Sequence, residues 1–122
     1  MSAKFLFDEN VSSVLWDAVQ QHNRGTIVPL DVTRVGDPPD LPKSSDDRAL
    51  LLWAERNGRI LASHDKKTLP RHLAEHLAQG RHLPGLFFIS YFASPSHIIE
   101  LLAVAATSDN PTEWSDLIEY LA

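Results

Sequence analysis

The sequence of 122 residues contains no cysteine, and this absence excludes several kinds of chemistry. A chain without thiols has no disulfide, no thiolate nucleophile and no zinc site built on cysteine. Long apolar runs are also missing: the stretch 49–54 is far shorter than the roughly 20 residues that a membrane span needs. A single lysine before Asp8 is not typical of a secretory leader. These absences predict a cytoplasmic protein without membrane association.

Positively charged residues are fewer than negatively charged ones. Eleven Lys and Arg residues stand against sixteen Asp and Glu residues, which gives a net charge of -5. This balance argues against a protein that coats nucleic acid by its overall charge, although a local basic face stays open. Hydrophobic residues make up 43% of the chain, which is enough for a folded core and excludes a disordered chain. At this length we expect one domain, residues 1–122.

Short apolar runs alternate with segments of helical character along the chain. Predicted strands lie at 4–7, 26–33, 59–63 and 86–90. Predicted helices cover 11–22, 44–57 and 68–79, and two more begin at Ser94 and at Asn110. Continuous apolar strands that alternate with helices are typical of a parallel sheet covered on both faces. The prediction is a three-layer α/β/α sandwich with a mainly parallel sheet of about four strands.

Aspartates stand at three places where such a fold exposes its loops. Two predicted strands run into Asp8 and Asp65, and Asp46 and Asp47 begin a helix. Strand carboxyl ends and helix amino ends share one edge of a parallel sheet, where ligands bind. Converging carboxylates repel one another unless a hard cation lies between them, and oxygen ligands favour Mg²⁺ or Mn²⁺. Such an ion orients water and neutralises charge on a phosphodiester.

The same residues have a purely structural interpretation. Asp and Asn are preferred caps at helix amino ends, and acidic side chains there interact favourably with the helix dipole. Asp8 or Asn10 could cap the first helix and Asp65 the third. For the second helix Ser44 or Ser45 is the predicted cap, and Asp46 and Asp47 could simply interact favourably with its dipole. Residue types and spacing alone leave both interpretations open.

Five segments resemble the small bacterial PIN-like domains. They are FLFDENVS at 5–12, SDDRAL at 45–50, the passage 53–61 with its Gly-Arg-Ile-Leu, SHDK at 63–66 and PGLFFI at 84–89. In that family the corresponding segments are a strand ending in Asp-Glu-Asn, a Ser-Asp-Glu helix start, a Gly-Arg-Val-Leu strand, Thr-Arg-Asp-Lys and a closing strand. The ordered set covers most of the chain.

The resemblance implies a PIN-like fold and a metal-dependent endoribonuclease that uses Mg²⁺ or Mn²⁺. Asp8, Asp46 and Asp65 match the family's acidic catalytic motif, Asp47 matches the acidic residue that follows, and Asn10 supports the first aspartate. All four aspartates are metal-ligand candidates on this basis. Many small bacterial members are toxins, so the resemblance also implies RNA as substrate and an antitoxin protein as partner.

One position departs from the family pattern. Lys67 stands where the family usually has a second carboxylate after Asp65. A lysine there could replace the cation or contact a phosphate directly. The departure leaves a second hypothesis open, a catalytically inactive PIN-like module that binds a protein partner or RNA.

A basic stretch follows the third predicted strand. Residues 66–82 contain Lys66, Lys67 and Arg71, further basic residues and a single acidic one. Beside the acidic pocket these three side chains would contact substrate phosphates, whereas the structural alternative is a solvated helix face. Because no aromatic residue lies within the stretch, the sequence predicts no base stacking there.

Trp114 begins an apolar stripe on the predicted terminal helix. At helical spacing the stripe continues through Leu117, Ile118 and Leu121. We expect it to pack on the sheet. Its alternative role is a surface for a homodimer or an antitoxin.

Overall fold

The structure, a computed structural model, describes residues 2–110 and 112–122. These residues form a five-stranded, wholly parallel sheet with the strand order β2-β1-β3-β4-β5. In chain order the elements are β1 Lys4–Phe7, α1 Ser13–Arg24, β2 Asp31–Arg34, α2 Asp47–Asn57, β3 Arg59–Ser63, α3 Leu69–Ala78, β4 Leu86–Ile89, α4 Pro95–Ala106 and β5 Ile118–Leu121. In the described part of the chain, no helix has both the length and the hydropathy that a membrane span requires.

The helices cover both faces of the sheet, which confirms the predicted three-layer α/β/α sandwich. Successive strand residues point to opposite faces, so each short strand contributes to two cores. On one face Phe5 and Phe87 pack with side chains of α1 and α4. On the other face Leu6 and Leu61 pack with side chains of α2 and α3. Burial on both sides explains why the central strands are continuously apolar.

The sheet contains a topological switch point between β1 and β3. The chain leaves β1 through α1 to reach β2 on one side, then returns through α2 to β3 on the other side of β1. Connections that leave in opposite directions open a crevice beyond the strand carboxyl ends, where open α/β sheets bind ligands. The carboxyl edge is our name for this end of the sheet, and the amino edge is the opposite end.

Two local predictions required correction on the amino-terminal side. The strand predicted at 26–33 begins only at Asp31. Pro29 has no backbone donor. The side chain of Asn23 donates to the carbonyl oxygen of Leu30 and accepts from its amide, both at 2.9 Å, so neither Pro29 nor Leu30 joins the sheet. The α2 cap is Asp46 rather than Ser44 or Ser45, since its carboxylate accepts from the Ala49 amide at 2.8 Å.

The predicted terminal helix is wrong. Pro111 lies outside the described residues, residues 112–117 carry no helix, and 118–121 form β5, which pairs in parallel with β4. The segment is too short for a stable isolated helix, whereas β4 offers an open row of backbone hydrogen bonds. Trp114 packs edge-on against Phe87 at 5.7 Å, and Leu121 is buried. The homodimer or antitoxin surface predicted on that helix therefore has no helix to carry it.

Candidate active site at the carboxyl edge

Asp8 follows β1 directly and lies at the switch point. The Ser63 hydroxyl donates to one carboxylate oxygen of Asp8 at 2.8 Å, and the Glu9 amide donates to the other at 2.7 Å. Burial raises the pKa of Asp8 above its usual value, and these hydrogen bonds only partly oppose that rise. The negative charges of Asp47 and Asp65 raise the pKa further. Three carboxylates from distant positions in the sequence therefore interact at this edge.

Asp65 follows β3 and is joined to Asp47 through one hydroxyl. Thr68 Oγ1 lies 3.0 Å from Asp47 Oδ2 and also donates to Asp65 Oδ2. The backbone amides of Lys67 and Thr68 donate to Asp65 Oδ1 at 2.8 and 3.0 Å. Burial alone would raise the pKa of Asp65, but these hydrogen bonds and the charge of His72 together lower it.

Asp47 has a second partner on α3. Nδ1 of His72 lies 2.8 Å from Asp47 Oδ2, so the imidazole and the Thr68 hydroxyl approach the same carboxylate oxygen. Sequence reasoning missed both partners. The spacing of Thr68 and His72, one helical turn apart near the start of a helix that follows a strand-end aspartate, is the signal that could have identified them.

Asp46 lies apart from this group. As the N-cap of α2 it has extended backbone angles, and its exposed side chain turns back to the Ala49 amide. The carboxylates whose charges act on Asp8 are those of Asp47 and Asp65. The structure thus gathers Asp8, Asp47 and Asp65 and makes Asp46 the cap of α2, the role that the sequence predicted for Ser44 or Ser45.

Asn10 reaches the site through Ser63. Its side-chain amide lies 3.3 Å from the Ser63 hydroxyl, and its Oδ1 accepts from the His64 amide at 3.2 Å. Because Ser63 also bonds Asp8, the asparagine steadies that carboxylate indirectly. Ser63, buried at the end of β3, was not anticipated from the sequence.

His64 ties together three loops of the carboxyl edge. Its ring is buried, with Nδ1 2.6 Å from the carbonyl oxygen of Ile89. The Ser12 amide donates to Nε2 at 3.4 Å, which requires the neutral tautomer with the proton on Nδ1. The imidazole therefore holds the ends of β3 and β4 and the start of α1 in register.

Basic side chains flank the carboxylates on both sides. A cleft of about 310 Å³ beside Asp65 is lined by Lys66 and Lys67. On the other side of the switch point, Arg34 and Lys43 line a cleft of about 250 Å³ that also contains Asp8. The sequence predicted the first pair but not the second, because Arg34 and Lys43 come from separate loops.

Arg71, the third predicted phosphate ligand, is exposed on the first turn of α3. The same turn carries His72, which is bonded to Asp47. The basic stretch of the sequence thus begins at the candidate site, and its later members run along α3 away from it.

The donor chemistry suits a hard cation. The side chains that meet here offer carboxylate oxygens, with hydroxyl and amide oxygens of Ser63 and Asn10 beside them, and this is a set that Mg²⁺ and Mn²⁺ prefer. The described residues nevertheless contain no group of three or more acidic or histidine side chains already arranged as metal ligands. Thr68 and His72 already contact Oδ2 of Asp47, and Thr68 also contacts Oδ2 of Asp65.

Comparison of the chain with models of known protein families, with curated proteins and with solved structures finds no match.

Proposed function

We propose that this protein is a metal-dependent endoribonuclease of the PIN-like type, with Mg²⁺ or Mn²⁺ held by Asp8, Asp47 and Asp65. One observation carries the proposal: Asp8 and Asp65 follow the neighbouring strands β1 and β3, and the Thr68 hydroxyl contacts both Asp65 and Asp47. Burial and the charges of the two other carboxylates raise the pKa of Asp8, in agreement with this arrangement. Holding like charges together costs folding free energy, and such groups cluster where proteins do chemistry. Their position at the switch point, where open α/β sheets bind ligands, supports the same conclusion.

The bound metal would polarise a water and neutralise charge on the phosphodiester. Ser63 and Asn10 fix the orientation of Asp8 through the hydrogen bonds described above. Lys66 and Lys67 bind the phosphates of the RNA beside the carboxylates. The resemblance to small bacterial PIN-like domains extends the proposal to a toxin whose antitoxin partner blocks this edge.

Two measurements on one set of variants test the proposal. Metal-depleted protein is titrated with Mn²⁺ by calorimetry, and cleavage of a labelled RNA is followed with and without the ion. We expect saturable binding and metal-dependent cleavage in the parent, and the loss of both in Asp8→Asn. Asp17→Asn removes the same charge from an exposed position on α1 and should change neither result.

The variant Asp46→Asn tests whether Asp46 is only a helix cap, as in the structure, or a metal ligand, as the resemblance implies. Asparagine caps a helix about as well as aspartate, so α2 should remain intact. If Asp46 is only a cap, this variant cleaves like the parent, while Asp47→Asn loses cleavage. Equal cleavage by parent and Asp8→Asn, purified side by side, would contradict the whole assignment.

A second candidate is a PIN-like module without catalytic activity that binds a protein partner or RNA. Two observations favour it: Thr68 and His72 already occupy carboxylate oxygens, and Lys67 supplies a positive charge beside Asp65. This alternative predicts no Mn²⁺ binding and no cleavage at any metal concentration. Saturable Mn²⁺ binding lost in Asp8→Asn would eliminate it.

A further inference from the structure

The turn after β4 presents two aromatic side chains at the carboxyl edge. Its conformation is fixed by Ser90, whose hydroxyl accepts from the Phe92 amide at 3.2 Å and whose carbonyl oxygen accepts from the Ala93 amide at 3.3 Å. Tyr91 and Phe92 form the tip of this turn. Because β4 neighbours β3 in the sheet, the tip lies beside the loop that carries Asp65.

The exposed side chain of Phe92 contributes little to the stability of the fold. The residue is 99% exposed, although burying a phenylalanine side chain stabilises a protein by about 1.5–3 kcal/mol. Single exposed apolar residues are ordinary, and Ile27 in the loop before β2 is another at 99%. Phe92 differs because a second exposed aromatic residue and two lysines line the same cleft.

Tyr91 is held in a defined orientation. Its ring stacks on the His64 imidazole with centroids 3.8 Å apart and planes 20° from parallel, and the residue is still 66% exposed. The imidazole is itself fixed by the carbonyl oxygen of Ile89 and the amide of Ser12. One face of the tyrosine is thereby occupied by protein, and a rigid aromatic surface remains for a ligand.

Positive charge lies next to these rings. The cleft of about 310 Å³ is lined by Lys66 and Lys67 together with Tyr91 and Phe92. The ammonium group of Lys66 also lies 5.8 Å from the ring centroid of Tyr120, an exposed residue of β5. Exposed aromatic rings beside lysines are what proteins use to hold single-stranded nucleic acid, by stacking on bases while cations hold phosphates.

We infer that Tyr91 and Phe92 are a stacking platform for unpaired bases of a single RNA strand whose phosphates lie on Lys66 and Lys67. The inference rests on the proposed function and adds how the substrate is held next to Asp65. Duplex RNA keeps its bases stacked on one another and cannot use the platform. The sequence did not predict this surface, because its aromatic residues lie more than twenty positions after the lysines.

Binding is measured without metal, so that no cleavage contributes. Fluorescence anisotropy in EDTA compares three labelled RNAs of equal length: a single strand, the same strand with abasic sites in place of its bases, and a duplex. We expect the parent to bind the intact strand about tenfold more tightly than the abasic strand for each stacked base. Phe92→Leu and Tyr91→Leu should each weaken binding of the intact strand about tenfold and leave the abasic strand unaffected.

Matched variants separate stacking from charge. Ile27→Ala changes an equally exposed apolar residue at the amino edge and should bind like the parent. Lys66→Gln and Lys67→Gln should each weaken binding of both the intact and the abasic strand. Each should also reduce the slope of log affinity against log salt by about 0.7, whereas Lys4→Gln should not. The inference is overturned if the parent binds intact and abasic strands equally, or if both aromatic variants bind the intact strand like the parent.

Cleavage of the same RNA with Mn²⁺ distinguishes the two proposals. If the Asp8→Asn variant binds the strand in EDTA but does not cleave it with Mn²⁺, the result supports both the nuclease and the stacking platform. Platform variants that bind and cleave like the parent overturn the stacking role alone. Base-dependent binding without cleavage at any Mn²⁺ concentration overturns the nuclease and leaves the platform standing.

Discussion

The two edges of the sheet differ in how they hold one carboxylate, that of Asp8. At the amino edge, histidines pair with carboxylates: His76 Nε2 lies 2.8 Å from Glu55, and His82 Nδ1 lies 2.7 Å from Asp116. At the carboxyl edge His72 pairs with Asp47 in the same way, but the pKa of Asp8 is raised, first by burial and further by the negative charges of Asp47 and Asp65. Both edges are built by the same parallel strands, so the difference comes from the loops and helix ends that surround them.

Aromatic residues differ between the edges in the same way. Trp114 at the amino edge packs edge-on against Phe87, whereas Phe92 at the carboxyl edge is almost wholly exposed. A cleft of about 470 Å³, larger than either cleft beside the carboxylates, lies at the amino edge beside Trp114. Cavity size therefore does not identify the functional site here. The partly buried Asp8 carboxylate with its raised pKa and the exposed aromatic rings do, because both are unfavourable for folding.

The largest predicted difference is in stability after removal of an aromatic side chain. Trp114→Ala should lower the free energy of unfolding by about 2–3 kcal/mol, since it leaves a gap beside Phe87 and Gly85. Phe92→Ala should change it by less than about 0.5 kcal/mol. Urea denaturation followed by circular dichroism measures both. A comparable loss in Phe92→Ala would mean that the platform has a structural role.

The next prediction concerns the paired charges of the amino edge. Glu55 contacts the 4% exposed His76, and also Arg81 at 3.4 Å and the His82 amide at 3.4 Å. Glu55→Ala should cost about 1–2 kcal/mol of stability, because several hydrogen bonds of a charged group disappear together. Glu75→Ala, an exposed glutamate on α3, is the control and should be nearly neutral. Equal effects would show that the pairing does not stabilise this edge.

A third prediction uses pH at the carboxyl edge. A carboxyl group whose pKa is raised on folding holds more protons in the folded chain, so stability falls as pH rises through that interval. Asp8→Asn removes this cost. Its stability relative to the parent should therefore increase from acid to neutral pH, in urea titrations repeated across that range. A constant difference at every pH would mean that Asp8 ionises without penalty.

The smallest predicted effect belongs to the exposed pair at the amino edge. The hydrogen bond and charge of Asp116 raise the pKa of His82, so this stabilisation is complete below about 6.5 and lost as pH rises through the folded value. Burial opposes ionisation of Asp116, but hydrogen bonds from Leu83 and His82 lower its pKa. Its contribution is therefore complete above the ordinary value of 3.8 and lost as pH falls through the folded value.

The variant Asp116→Asn tests the pH range over which the His82–Asp116 pair stabilises the fold. It keeps an acceptor for the Leu83 amide and suits the positive φ of 63° at this position, so mainly the charge is lost. The parent should exceed the variant in stability by the largest margin between the two ordinary pKa values, and by less both above the folded pKa of His82 and below the folded pKa of Asp116. A margin that grows toward alkaline pH would contradict the pairing.

Much of this architecture could be predicted along the chain. The fold class followed from continuous apolar strands alternating with helices, and β3 was predicted at its observed bounds, because Gly58 ends α2 in the left-handed conformation just before it. The C-terminal segment was mispredicted, since the spacing of its apolar residues, taken alone, fits an amphipathic helix. Pairing with the open edge of β4 is a long-range interaction that local periodicity does not contain.

The candidate site divides in the same manner. Asp8 and Asp65 were identifiable because each ends an apolar strand, and strand ends share an edge in a parallel sheet. The choice between Asp46 and Asp47 was not, since it depends on which of two adjacent residues takes the extended cap conformation. That single conformational choice turns one carboxylate toward α2 and leaves the other near Asp8.

By itself the sequence determined the alternation of strands and helices and the aspartates at strand ends, because periodicity and residue type are local properties. Tertiary structure alone decided which side chains meet. It brought Thr68 and His72 onto Asp47, and it brought Tyr91 beside Lys66. These contacts depend on long-range packing: α2 and α3 lie together on one face of the sheet, and β3 and β4 lie side by side within it.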